Sequence, residues 1–188
     1  EVSFLPMADA DEKGSVFIRS MRQFGDVKTG YTGFQNEDIL IAKVTPCFEN
    51  NKIVHARLPT PYGFGSTEFH VVRARNGVDS RYLLHFLRQD WVRKAGERRM
   101  TGSGGQRRVP RAFFEALQLP KIPLPEQQRI AAILDQADTL RRLRRQAVER
   151  VERLEDSVFE NILKASNLSS TPVTLAKFTD IQVGYPFK

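Results

Sequence analysis

Glu126-Gln127-Gln128-Arg129-Ile130-Ala131-Ala132-Ile133-Leu134-Asp135-Gln136-Ala137-Asp138-Thr139-Leu140 opens a stretch that continues to about Ala165 without a glycine or a proline. A helix of roughly forty residues would be about 60 Å long, more than a small domain needs to cover its own core. Ile130, Ile133, Ala137, Leu140, Ala147, Val151, Leu154 and Val158 recur at three- and four-residue intervals, interrupted only at Arg144. So narrow a stripe is a seam for a second helix, not a broad face for a globular core. The spacing predicts one long, coiled-coil-forming helix over 125–166.

Ahead of it, Pro120-Lys121-Ile122-Pro123-Leu124-Pro125 carries three prolines, which fix φ and oppose helix, so it reads as a stiff connector. Pro125 suits the first helical turn. Three segments follow: a domain over 1–124, the long helix over 125–166, and a linker with the start of another domain over 167–188. The last rests on Thr179-Asp180-Ile181-Gln182-Val183-Gly184-Tyr185-Pro186-Phe187-Lys188, which reads as an opening strand and turn. The chain is therefore expected to be a piece of a longer protein.

The first segment reads as mixed α/β, with strands and helices interspersed. Ile39-Leu40-Ile41-Ala42-Lys43-Val44 is a buried strand, closed by Pro46. Ile53 to Ala56 and Phe69 to Arg73 read as further strands, the latter entered from a turn at Gly63-Phe64-Gly65-Ser66. Asn50 and Asn51 tolerate the left-handed backbone of a tight connection. A helix capped by Asp79 or Ser80 is expected to reach about Gly96, with Leu83, Leu84, Phe86, Leu87, Trp91, Val92 and Ala95 on its apolar side. Met100 to Pro110 is a glycine-rich loop, and Phe113, Phe114 and Leu117 suggest a helical turn after it. Tyr31, Phe34, Phe64 and Phe69 read as core.

Among the 188 residues, apolar side chains make up 40%, enough for a packed core, and no apolar run approaches the roughly 20 residues of a membrane-spanning helix. The single cysteine, Cys47, suits a reducing compartment, so the cytoplasm is expected; it reads as buried and unreactive. The net charge is +7. Between Arg93 and Arg111, Arg93, Lys94, Arg98, Arg99, Arg107, Arg108 and Arg111 face only Glu97. Guanidinium forks beside a small-residue loop are suited to phosphate contact, which points to nucleic acid.

Catalytic motifs are missing: there is no phosphate-binding loop ending in Gly-Lys-Ser/Thr and no Asp/Asn-Pro-Pro-Tyr/Phe. Asp11-Glu12-Lys13 is only the tail of a nuclease-type site. His55, His70 and His85 are isolated and read as structural; no metal site is expected. A protein-interaction scaffold with an incidental basic patch is the rival reading, and the recognition region of a bifunctional type II restriction enzyme is a third.

Several stretches, taken in order, resemble the DNA specificity subunits of type I restriction–modification systems, a bacterial defence. They are Phe4 to Met7, Lys28-Thr29-Gly30-Tyr31-Thr32-Gly33-Phe34, Asp38 to Asn50, Gly63 to Val71, Met100-Thr101-Gly102-Ser103-Gly104-Gly105-Gln106-Arg107-Arg108-Val109-Pro110, and Ile122 to Ala131. Asn51 departs from the glycine common in the family. The resemblance implies a target recognition domain lacking its opening segment, a spacer helix, and a second recognition domain begun at 177–188.

It also implies a non-catalytic subunit. One domain would read half of a bipartite double-stranded DNA target, and the helix would meet a second spacer helix or another copy of the chain. Modification (methyltransferase) subunits would dock on that bundle, and restriction subunits would join through the complex. No cofactor is expected on this chain; S-adenosylmethionine, ATP and Mg²⁺ belong to the partner subunits. Gln106, Arg107 and Arg108 are the candidate base readers, by the rule that arginine forks onto guanine and amides onto adenine. Ser103, Lys28 and Tyr31 are candidate phosphate contacts, as are Arg93, Arg98 and Arg99.

Overall fold

The computed structural model describes residues 1–12, 14, 16, 18–103, 105–165 and 174. Lys13, Gly104 and the expected second recognition domain at 177–188 lie outside the described residues. The chain divides into two compact units, Glu1–Ala137 and Asp138–Lys188.

The mixed α/β domain is built on two sheets. Strands β4 (Ile39–Ala42), β5 (Ile53–His55) and β7 (Phe69–Val72) form an antiparallel sheet in the order β5-β4-β7. All four residues of β4 are buried, and the alternation of strand side chains divides them between two cores. Leu40 and Ala42 pack with Val54, Ala56, Phe69, Leu5 and Phe34. Ile39 and Ile41 pack with Ile53, Phe48, Leu87, Met100 and Val109. A strand covered on both faces needs an unbroken apolar run, which is why Ile39 to Ala42 is so plain in the sequence.

The second sheet was not legible. Strands β1 (Val2–Leu5), β2 (Ser20–Arg22), β3 (Thr32–Gln35) and β6 (Tyr62–Gly65) line up as β2-β1-β6-β3, with β1 and β6 parallel and the other pairs antiparallel. The stretch Gly63-Phe64-Gly65, expected to turn, is strand. A Cβ at Gly65 would stand 2.3 Å from the Leu5 carbonyl oxygen. The glycine is there for close approach of two strands, not for a bend.

The expected helix from Asp79 to Gly96 is two helices, α2 (Ser80–Leu87) and α3 (Asp90–Glu97). Asp79 caps α2, its carboxylate accepting from the backbone of Arg81 and Tyr82 at 3.0 Å each. The break falls at Gln89, whose backbone is extended and whose side-chain amide donates to the His85 carbonyl, satisfying a helix-end acceptor. Arg88, at the break, donates to the Ile53 carbonyl at 2.8 Å. Leu87 and Val92 are buried as expected, but Trp91 is half exposed, with its ring edge-on to Phe86. Cys47 is only half buried. Of the aromatics assigned to the core, Phe34 and Phe69 are buried, Phe64 is half buried and Tyr31 is exposed. Asn51 has φ 57°, the left-handed conformation for which an Asn serves in place of Gly.

A short helix precedes α2 at Phe24–Val27 (α1), and Arg111–Glu115 forms α4. The long helix α5 runs without a break from Leu124 to Ala165. Its first turns belong to the first unit and are pinned there by Gln127. The buried amide oxygen of this residue accepts from the Asp79 N–H, and its nitrogen donates to the carbonyls of Gly77 and Ile122, each at 2.9 Å. One turn on, Ala131 is fully buried; Asp135 meets His85 at 2.8 Å and Arg81 at 3.2 Å.

In the second unit the helix carries its seam in the open. Leu140 is 67% exposed and Leu154 61%; Val151 and Val158 are also exposed, as are Leu143, Val148, Phe159 and Ile162. Among the described residues no helix is long and apolar enough to cross a membrane.

Candidate nucleic-acid interface

Ile39, Leu40, Ile41 and Ile53 are fully buried, and each such side chain is worth about 1.5–3 kcal/mol. A surface ion pair is worth about 0–1 kcal/mol. The two cores therefore hold the domain, and charged groups on the loop beside them are not needed for that purpose.

Met100 and Val109, both buried, fix the ends of that loop in the second core. Between them the chain turns back on itself. Thr101 and Arg108 exchange backbone hydrogen bonds at 3.0 and 2.8 Å, and the Gln106 N–H closes a turn on the Ser103 carbonyl at 3.2 Å. Gly102 (φ 128°) and Gly105 (φ 76°) supply the positive φ such a turn demands.

The hairpin is fastened to the end of β4. Thr45 donates its hydroxyl to the Gly105 carbonyl at 2.6 Å and accepts from the Arg107 N–H at 3.1 Å. The Thr45 N–H donates to the Arg107 carbonyl at 3.0 Å, and the Val109 N–H to the Lys43 carbonyl at 2.8 Å. From β7, His70 Nε2 meets the Val109 carbonyl at 2.9 Å; since a carbonyl only accepts, this nitrogen carries the hydrogen. Burial pushes the His70 pKa down, which favours the neutral ring. A glycine-rich loop that reads as loose is thus held on three sides.

Charge is the feature the sequence misjudged. The basic residues from Arg93 to Arg111 do not face Glu97 alone, because folding brings acids from elsewhere. Arg107 pairs with Glu49 at 2.9 Å, and Arg108 with Glu68, its Nε and Nη2 contacting the carboxylate at 2.9 to 3.2 Å. Arg93 is gripped by Asp90 and Glu97 and also donates to the Glu49 carbonyl. Lys94 pairs with Asp90, and Arg111 with Glu115. Five of the seven basic groups meet five carboxylates, so the local excess is much smaller than the run of residues suggests. Arg98 and Arg99, exposed at the end of α3, have no carboxylate partner among the described residues. The Arg108 guanidinium holds the Glu68 carboxyl below the usual carboxylate range.

Ser103, Gln106, Arg107 and Arg108 are brought together on one hairpin and are all exposed. Lys28 and Tyr31 stand elsewhere, between α1 and β3 of the other sheet. There the Tyr31 hydroxyl accepts from Arg22 at 3.4 Å and its ring is edge-on to Phe4. Sequence reasoning missed Thr45, Glu49 and Glu68. Each lies within a stretch that carries the family resemblance, Thr45 and Glu49 in Asp38 to Asn50 and Glu68 in Gly63 to Val71, but nothing in the spacing singles them out. Among the described residues no group of side chains could hold a metal ion.

The described residues thus give a two-sheet α/β domain with a buttressed, arginine-bearing hairpin, and a long helix with an apolar seam. The family described as "Type I restriction modification DNA specificity domain" matches residues 11–153, and the chain belongs to that family. It is 47% identical over 134 residues to the type I restriction enzyme EcoAI specificity subunit of Escherichia coli, across 69% of this chain and 23% of that protein. It is 41% identical over 133 residues to the EcoEI specificity subunit of the same organism, across 69% and 22%.

Two solved structures share the fold. The HsdS subunit from Thermoanaerobacter tengcongensis superposes with a TM-score of 0.60 at 21% identity, covering 81% of this chain and 40% of that one. A chain from work on complex assembly and conformational transition of the type I R-M system gives 0.64 at 20%, covering 86% and 43%. The chain thus spans less than a quarter of the length of the curated relatives it matches.

Proposed function

We propose that this chain is the DNA-reading part of a type I specificity subunit, acting in the cytoplasm on one half of a bipartite duplex target. It does no chemistry. Modification subunits that use S-adenosylmethionine, and restriction subunits that use ATP and Mg²⁺, supply the reactions. The observation that carries the reading is the hairpin from Thr101 to Arg108, which displays Gln106 beside two guanidiniums on a backbone fixed by Thr45. A bare helical scaffold would have no use for such a device.

The test is binding to duplex DNA, comparing a half-site selected from a random pool with its scrambled form at several salt concentrations. Gln106→Ala and Arg107→Ala are each expected to cost about 1–3 kcal/mol on the selected duplex and far less on the scrambled one. Arg98→Ala and Arg99→Ala are expected to weaken both equally and to make the salt slope shallower by about one per lost phosphate contact. Arg93, already held by two carboxylates, is expected to matter less. Equal losses on both duplexes for Gln106→Ala would demote the hairpin to backbone positioning.

The exposed seam from Leu140 to Val158 supports a partner helix: the second spacer helix of a whole subunit, or the same helix of another copy. In sedimentation velocity the chain is expected to move from monomer to dimer with concentration, and Leu154→Asp to hold it monomeric by placing a charge in the seam. A strictly monomeric wild-type chain at all concentrations would sink the self-pairing.

A further inference from the structure

Arginine has two usable edges. The side edge, Nε with one Nη, and the end edge, the two Nη groups, can each grip a pair of acceptors. Arg108 spends its side edge on Glu68: Nε lies 3.0 and 3.2 Å from the two carboxylate oxygens, and Nη2 lies 2.9 Å from one of them. The end edge is left with a single contact, Nη1 to the Gln106 carbonyl at a long 3.3 Å. Arg108 is 45% exposed, so that edge is within reach of a ligand.

Glu68 is itself well placed to act as a fixed post. Its N–H donates to the Ser66 hydroxyl at 3.2 Å, and its carbonyl accepts from the N–H of Lys43, the residue whose own carbonyl holds Val109, at 2.9 Å. Glu49 does a similar task for Arg107, taking one Nη2 contact at 2.9 Å while its carbonyl accepts from Arg93 at 3.2 Å. As surface pairs these contacts add little stability. Their consequence is for the arginines: each loses side-chain freedom and much of its long-range attraction for phosphate.

We propose that Glu68, with Glu49 in support, is a specificity-determining positioning residue that aims the exposed end edge of Arg108 at a base and keeps the paired arginines off phosphates. The ligand feature is the pair of acceptors, O6 and N7, that guanine offers in the major groove. A tethered fork is aligned before contact, so correct binding costs less ordering. A phosphate, which carries its own negative charge, is repelled by the carboxylate behind the fork. This inference rests on the DNA-reading function proposed above.

The test uses this chain, a pool of random duplexes, and three variants that each remove one negative charge: Glu68→Gln, Glu49→Gln and Glu115→Gln. Glu115 pairs with Arg111 within α4, away from the hairpin turn, and so controls for net charge. Glu68→Gln is expected to bind random duplex roughly threefold to eightfold tighter near 0.1 M salt, with a salt slope steeper by about one, because a freed cation takes one more phosphate. The sequence it selects from the pool is expected to lose its preference at one guanine. Glu49→Gln is expected to show a smaller change of the same kind, and Glu115→Gln to select the wild-type sequence. If Glu68→Gln matches Glu115→Gln in affinity, slope and selected sequence while wild type selects a motif, the positioning role is overturned and DNA reading stands. If wild type shows no salt-dependent binding, DNA reading fails and the positioning role fails with it.

Discussion

Gln127→Ala is expected to lower the stability of the first unit by about 3 kcal/mol, the cost of leaving two or three buried backbone groups unpaired. The Asp79 N–H and the carbonyls of Gly77 and Ile122 would each lose a partner at 2.9 Å. For a unit of this size the midpoint of thermal unfolding, followed by near-UV circular dichroism, should fall by roughly 10 °C. Gln127→Glu is the sharper variant. It keeps the size and the acceptor for Asp79 but turns the donor toward two carbonyls into a second acceptor. It is therefore expected to do at least as much damage. An unchanged midpoint in both would mean that water replaces the amide and that the helix is held by Ala131 and Asp135 instead. Under the proposed function the consequence reaches further, because the first turns of α5 are fixed to the domain by these bonds.

Gly102→Val is expected to have the largest effect on DNA reading of any single change. A Cβ at Gly102 would stand 2.7 Å from the Gln106 carbonyl oxygen and 3.2 Å from the Arg107 Cα, both backbone positions that cannot swing aside. With φ at 128°, a β-branched residue is strained whatever the space. The exposed hairpin relieves this by opening locally, so melting should shift little. The three side chains proposed to read bases then lose their geometry together, and discrimination between selected and scrambled duplex should fall by roughly 100-fold, more than Gln106→Ala or Arg107→Ala alone. Circular dichroism beside the binding titration separates the outcomes. Unchanged discrimination would place base reading outside this hairpin, whereas collapse of the melting transition would show that the loop is part of the core.

Three things were legible in the residues because they are local or periodic. The long helix is written in forty residues without a breaker. The central strand is written in Ile39 to Ala42, and the cap of α2 in Asp79. The candidate reading loop was proposed from composition alone, from glycines and arginines gathered in one stretch. Less legible were elements whose reason for existing is a neighbour. β6 looks like a turn because its glycines admit Leu5 and Phe34 rather than bend the chain. The single helix expected from Asp79 became two where Gln89 satisfies the His85 carbonyl at the helix end and Arg88 anchors the break to the Ile53 carbonyl of β5.

The deepest difference lies in the charges. By itself the sequence determined that seven basic residues would gather near one loop, that a helix with an uncovered seam would follow, and that no familiar catalytic motif was present. Only the tertiary structure decided what those arginines face. Glu49 and Glu68 lie about sixty and forty positions away from their partners, yet two tight connections around β4 and β7 deliver them to within hydrogen-bond reach. Helical and strand periods are short-range regularities that survive in one dimension. Pairing between distant charges depends on how strands register across a sheet, and that is fixed by the packing of two cores rather than by any spacing along the chain.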